Sequence, residues 1–235
     1  MQPGELDSLV QRNLQAVLER IARACDAAGR SSDEVTLVGV TKYVGAAATA
    51  ALVRAGCSDL GEARPQQLWE KAAAPELAGL PIAWRLIGHL QRNKADRTVG
   101  VAAAIDSIDS LRLLRAVDGA AGGHGKRLPI LLEVNISGDA EKHGFSPDEL
   151  PAVLEELSGR EHVEAQGLMA MAAREGGPDV ARRNFADLRE LRDRHATGAR
   201  PLATLSMGMS GDLEEAILEG ATIVRVGSAL WDGVA

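Results

Sequence analysis

The chain has 235 residues, 46% of them hydrophobic, enough to bury one large α/β core or two small ones. Its formal net charge of −7 excludes a general phosphate-backbone binder, which needs a basic face, so nucleic acid is not an expected partner. Cys25 and Cys57, the only cysteines, stand far apart with no histidine at metal-ligand spacing, so neither a disulfide framework nor a metal site is expected.

Residues 6–28 place Leu6, Leu9, Val10, Leu14, Val17, Leu18, Ile21 and Ala24 on one helical stripe that Gly29 closes. Residues 37–42 read as a buried parallel strand, an apolar β-branched run that puts Val38, Val40 and Lys42 on one side. An alanine-rich helix over 45–55, a short strand over 56–61, a loop holding Glu62 and Arg64, and a helix over 66–74 follow. The third strand spans 84–88, and the polar segment from His89 to Lys94 leads into a short helix, His89 being read as structural. The fourth strand spans 101–108, and Ser110 caps a helix over 111–117.

Residues 119–125, rich in glycine, read as a surface loop. The fifth strand, 128–136, sets Glu133 and Asn135 on one face and Leu132 and Val134 on the other. Ser146 and Glu149 make a capping box for a helix to residue 157. Strands at 163–171, 202–206 and 222–226 then alternate with helices at 178–194 and 212–219. The amino terminus has no basic region followed by an apolar core, and no apolar run reaches membrane-spanning length, so a cytoplasmic protein without membrane attachment is expected.

Strict βα alternation requires a parallel sheet, and eight units close into a (β/α)8 TIM barrel, here a single domain over 1–235. The opening helix is expected to cover the barrel in place of a long closing one, with no C-terminal β domain after the eighth strand. A doubly wound open sheet is the alternative.

Four segments fall at carboxyl ends of strands, where parallel α/β folds place their chemistry. Lys42 is one of five lysines able to form a Schiff base, with Lys71, Lys94, Lys126 and Lys142; a partly desolvated amine there can attack an aldehyde. Ser206-Met207-Gly208-Met209-Ser210-Gly211-Asp212 lies between a strand and a helix start, offering N–H groups to a phosphate or, through Asp212 and Glu215, simply capping its own helix. Arg225 shares an inward face with Ile223 and needs an anion or a carboxylate such as Glu133, while Gly227 lets a ligand approach the backbone. The last is the loop from Ile87 to Lys94. Lysine, phosphate cradle and arginine around one mouth point to pyridoxal phosphate (PLP), and an arginine rather than a carboxylate at the ring nitrogen makes a weak electron sink.

The ordered set Val40-Thr41-Lys42, Gly61-Glu62, Trp84 to Lys94, Val134-Asn135-Ile136-Ser137 with Lys142 and Gly144, Gly167-Leu168-Met169, Leu205 to Ser210 with Asp212, and Val224 to Gly227 resembles the pyridoxal phosphate homeostasis proteins, the YggS/PROSC family. That family is similar in fold to the alanine racemase N-terminal barrel, a fold type III PLP-binding barrel. The resemblance implies a Schiff base at Lys42, phosphate contacts from Ser206 and the Gly227-Ser228 backbone, a cofactor contact from Ser210, and Arg225 at the pyridine nitrogen. It also implies cofactor contacts from Gly208, Met209, Asn135 and Met169, and leaves Lys142 open as a second site. One departure is plain: the family's Gly-Glu-Asn is Gly61-Glu62-Ala63 here, followed by Pro65, which removes a hydrogen-bonding side chain and stiffens the loop.

The implied function is non-catalytic: PLP binding for homeostasis of the cofactor and its delivery, with PLP-dependent apoenzymes as partners and a monomer as the default. A PLP-dependent amino-acid racemase is the alternative, but it needs an acid/base on each substrate face, and Tyr43, beside Lys42, is the only tyrosine. A barrel aldolase using Lys42 on a sugar phosphate is the third class.

Overall fold

The structure, a computed structural model, describes residues 3–139 and 141–234. Eight parallel strands close into a barrel in sequence order, β1 (Thr36–Val40), β2 (Asp59–Glu62), β3 (Ala83–Leu86), β4 (Ala104–Ile108), β5 (Leu128–Glu133), β6 (Val163–Met169), β7 (Thr204–Ser206) and β8 (Ile223–Val226). Closure comes from β8 lying against β1, with Thr36 opposite Ile223, Val38 opposite Arg225 and Gly39 opposite Val226. The open doubly wound sheet is thereby ruled out.

The helices between strands are α2 (Ala46–Arg54), α3 (Pro65–Ala72), α4 (Ala95–Val101), α5 (Leu111–Gly123), α6 (Leu150–Leu157), α7 (Gly177–His195) and α8 (Leu213–Leu218). The opening helix α1 (Pro3–Ala27) packs against α2 and α8, so it fills the gap in the helical ring that a helix after β8 would otherwise occupy. Its stripe of Val10, Leu14, Val17, Ile21 and Ala24 is buried. After β8 a 3-10 turn, Ser228–Trp231, sends the Trp231 indole N–H to the Val40 carbonyl at 2.7 Å, fixing the end of β1. Among the described residues, no helix is long and apolar enough to cross a membrane. Cys25 and Cys57 are both free and buried, and burial pushes the Cys57 thiol up to about 12.

Several elements differ from their sequence reading. Glu62 ends β2 instead of lying in a loop, and Val101 belongs to α4 instead of opening β4. The largest difference is α5, which runs through Gly119, Gly122 and Gly123 where a loop is expected. Its continuation buries Val117, Asp118 and Ala121, and a Cβ at Gly122 would lie 2.6 Å from the His162 ring. Tertiary packing therefore overrides the low helix propensity of glycine. The Ser110 cap is present, its Oγ accepting from Leu113 N at 3.3 Å, and so is the Ser146–Glu149 capping box, although that box opens a 3-10 turn (Pro147–Glu149) ahead of α6.

Apolar contacts fill two layers: one between strands and helices, and a small cluster of Val38, Leu131, Met169 and Ile223 inside the barrel. Charged side chains line the interior as well. Arg85 donates two hydrogen bonds to Asp106, at 2.8 and 3.0 Å, and the Asp106 side chain is fully buried. Removing one partner of a buried pair strands the other charge, so Asp106→Ala should cost about 3–5 kcal/mol in chemical denaturation. Asp7→Ala breaks an exposed pair with Arg54 and should cost about 1 kcal/mol or less. Equal losses would show that the Arg85–Asp106 pair does not stabilise the barrel interior.

Candidate functional site

Strand alternation places the residue two past each inward position at the barrel's carboxyl mouth. Val38, Val40 and Lys42 follow that rule from β1, as do Arg225 and Gly227 from β8. Lys42 itself lies just beyond β1 in a turn and is exposed, not partly desolvated as the sequence reading expects. Its Nζ sits 4.8 Å from the centre of the Tyr43 ring.

The backbone beneath Lys42 is anchored from outside the barrel. The Thr41 hydroxyl donates to Glu62 Oε1 at 2.6 Å, and Lys71 Nζ donates both to the Thr41 carbonyl at 2.6 Å and to Glu62 Oε1. Glu62 is fully buried, and its Oε2 has no hydrogen-bond partner among the described residues. A buried carboxylate, an ammonium and the Trp231 indole thus hold the two residues that precede Lys42.

Across the mouth, the loop after β7 meets the start of the turn after β8. Ser210 Oγ accepts from Gly227 N at 3.3 Å and from Ala229 N at 3.4 Å, while Arg20 of α1 donates to the Ser210 carbonyl at 2.9 Å and pairs with Glu214. Asp212 makes no side-chain cap for α8; instead its Oδ1 accepts from Met209 N at 2.6 Å. The alternative of an Asp212–Glu215 capping box therefore gives way to a bond that ties the loop to itself.

Arg225 is buried, donating to Ser206 Oγ at 2.8 Å and to the Ala170 carbonyl at 3.0 Å. Burial pulls its pKa down, opposed by the negative charges of Asp106, Glu133 and Asp212. Glu133, one of the partners the sequence allows, is thus a neighbour in the field, and the direct bonds go to a hydroxyl and a carbonyl.

A cavity of about 420 Å³ joins these parts. Of the sequence candidates, Lys42, Met209, Ser210, Arg225, Gly227 and Ser228 line it together. Four others lie elsewhere. Ser206 is buried beneath as the partner of Arg225, and Gly208 turns the loop at φ +92°, its carbonyl accepting from Arg225 N. Met169 packs one layer down inside the barrel, and Asn135 donates to the Asp139 carbonyl to close the loop after β5. Ala63, Ile87 and Met171 line the cavity too; the sequence reading set Ala63 and Ile87 in loops at the mouth without assigning them to the site, and missed Met171. Counting two residues on from Gly61, Arg85 and Met169 finds all three.

A second cavity of about 400 Å³ shares Ile87, Gly88, Met171 and Met209 with the first and reaches Glu133, Lys142 and His143. Lys142 Nζ donates to Ser137 Oγ at 2.9 Å and to the Ala172 carbonyl at 2.8 Å, and burial lowers its pKa.

Burial, with the nearby Asp109 carboxylate, pushes Glu133 up to about 7, against the pull of Arg225 and His89. The folded chain therefore keeps this proton over a range where the unfolded chain releases it, so the group's contribution to stability falls as pH rises from about 4.5 to 7. Glu133→Gln removes that dependence, worth about 1.4 kcal/mol per pH unit within the window. Urea midpoints at about pH 5 and about pH 8 should diverge more for the parent chain than for the variant; parallel shifts would show that Glu133 ionises normally.

Comparison with known proteins agrees with the barrel fold. The alanine racemase N-terminal domain family matches residues 12–233. A pyridoxal phosphate homeostasis protein of Pseudomonas aeruginosa is 38% identical over 95% of each chain. Among solved structures, one described as an unknown protein from Bifidobacterium adolescentis superposes with a TM-score of 0.88 at 35% identity, over 96% of each chain. PipY of Synechococcus elongatus, solved with PLP bound, superposes with a TM-score of 0.78 at 34% identity, over 91% of this chain and 99% of its own. The chain belongs to the pyridoxal phosphate homeostasis protein family, within the alanine racemase N-terminal domain fold.

Proposed function

We propose that this protein binds pyridoxal 5'-phosphate at the barrel mouth, holds it as a Schiff base on Lys42, and serves intracellular homeostasis and delivery of the cofactor. One observation carries the reading: a lysine amine shares a cavity of about 420 Å³ with Arg225 and with the Ser210–Gly227–Ser228 loop junction. That volume suits a small phosphorylated ring. The donor set fits as well. Ser210, Gly227 and Ser228 line one side of the cavity, and the backbone N–H groups of Gly227 and Ala229, which here donate to the Ser210 hydroxyl through long bonds of 3.3 and 3.4 Å, are donors a phosphate oxygen could take over. When bound, PLP supplies an aldehyde for the amine and a ring that accepts electron density.

The roles assigned to the chain follow from position. Lys42 supplies the nucleophile, Thr41, Glu62, Lys71 and Trp231 hold its backbone, and Ser210, Gly227 and Ser228 receive the phosphate. Met209 and Met171 give the mouth an apolar edge. Arg225, permanently charged, would hold the ring-nitrogen side of the cofactor and, having no proton to share, would keep that nitrogen unprotonated, which suits holding over turnover. Ser206 acts through Arg225, and Gly208 through the shape of its loop; Asn135 and Met169 support the walls from outside the cavity. Ala63 lines the cavity where relatives of the resembling pattern carry asparagine, so no side-chain amide anchors that side.

The same layout favours a carrier over a catalyst. The only tyrosine, Tyr43, stands beside Lys42 and is 68% exposed, so it does not oppose the lysine across a substrate. The open mouth suits hand-over to PLP-dependent apoenzymes in the cytoplasm.

Purified protein should show the visible absorption of a PLP Schiff base, and Lys42→Ala should lose it while keeping its circular dichroism. A folded parent chain that stays colourless after incubation with PLP would overturn the binding reading. Incubation with L-alanine should give no multiple-turnover formation of D-alanine; steady turnover would overturn the carrier reading.

A further inference from the structure

Beside the lysine cavity, three successive βα loops bring two imidazoles and a carboxylate together. His89 follows β3, Asp109 follows β4 and His143 lies in the loop after β5. His89 Nδ1 and Asp109 Oδ2 are 2.7 Å apart, and the His89 and His143 rings stack with centroids 4.2 Å apart and planes 15° off parallel. One donor atom from each residue lies within 4.8 Å of the other two. The Asp109 side chain is 7% exposed, which fixes the carboxylate, while both histidines are exposed and free to adjust.

We propose that His89, Asp109 and His143 form a binding site for one borderline divalent cation of the Zn²⁺, Ni²⁺ or Co²⁺ class. Two imidazoles with one carboxylate are the donor set such ions prefer, whereas Mg²⁺ and Ca²⁺ prefer oxygen alone. The ion replaces the proton shared by His89 Nδ1 and Asp109 Oδ2. The stacked pose is not itself the liganded one, since in-plane lone pairs of parallel rings do not converge. His143, exposed on its loop, therefore turns its edge toward the ion. Three protein donors leave coordination positions open toward the neighbouring cavity of about 400 Å³, which His89 and His143 also line. Glu133 stands on the wall of the same cavity.

A hydrogen bond and a ring stack alone would make the cluster a structural link between loops, and the two readings separate by experiment. The full chain without an affinity tag, dialysed against chelator and then against buffer, is titrated with NiCl₂ and with ZnCl₂ in a calorimeter. Saturable binding of one equivalent is expected, weakened about tenfold or more by His143→Ala, by His89→Gln and by Asp109→Asn. His124→Ala, which removes an exposed histidine 3.3 Å from Asp96, should leave it unchanged. Circular dichroism confirms that each variant is folded, and exposed His143 is the variant least able to disturb the barrel. Absence of saturable binding, binding that survives both histidine substitutions in folded protein, or binding lost through His124→Ala would each overturn the site.

Discussion

The pairing of β8 with β1 is the constraint on which the rest depends. Parallel neighbours cannot be joined by a tight turn, so each pair of strands needs a crossover helix, and only after eight units do the first and last strands meet. That meeting sets Val38 opposite Arg225 and carries Lys42 to the same rim as Gly227. Trp231 reinforces the seam by donating to the Val40 carbonyl, and α1 closes the outer ring over the same junction by reaching Ser210 and Glu214 through Arg20.

Buried charge is costly, and four strands of this chain carry it, at Glu62, Asp106, Glu133 and Arg225. Arg225 is satisfied by a hydroxyl and a carbonyl and shares its field with Asp106 and Glu133. Glu62 keeps one oxygen without a partner among the described residues, a penalty of about 1–3 kcal/mol for an unmet acceptor. Well-packed apolar residues would stabilise such positions at least as well. What the charges supply is fixed geometry: the Thr41 backbone is pinned by Lys71 and Glu62, so an exposed lysine rises from a rigid base.

The fold was legible because β-branched runs, glycine stops and the strict alternation of strand and helix all carry local signals. The lysine, the loop after β7 and Arg225 were legible too, since each falls at a strand end. Less legible were features set by contacts between distant segments. The glycines of α5 read as a loop because the His162 ring that crowds Gly122 comes from another element. Met169 drew attention through its motif, yet β6 ends there and Met171 is the residue that reaches the mouth. Asn135 keeps the inward phase of β5 on paper, but the chain turns away after Glu133. The cluster of His89, Asp109 and His143 has no spacing motif, because its members come from three separate loops.

The central claim is that ring closure makes Lys42, among five lysines, the one that bonds the cofactor. Treating the PLP-loaded protein with borohydride fixes that bond, and peptide mass spectrometry then locates it. The account predicts a phosphopyridoxyl group on the peptide containing Lys42. A label on Lys71, Lys94, Lys126 or Lys142, with the Lys42 peptide unmodified, would contradict it.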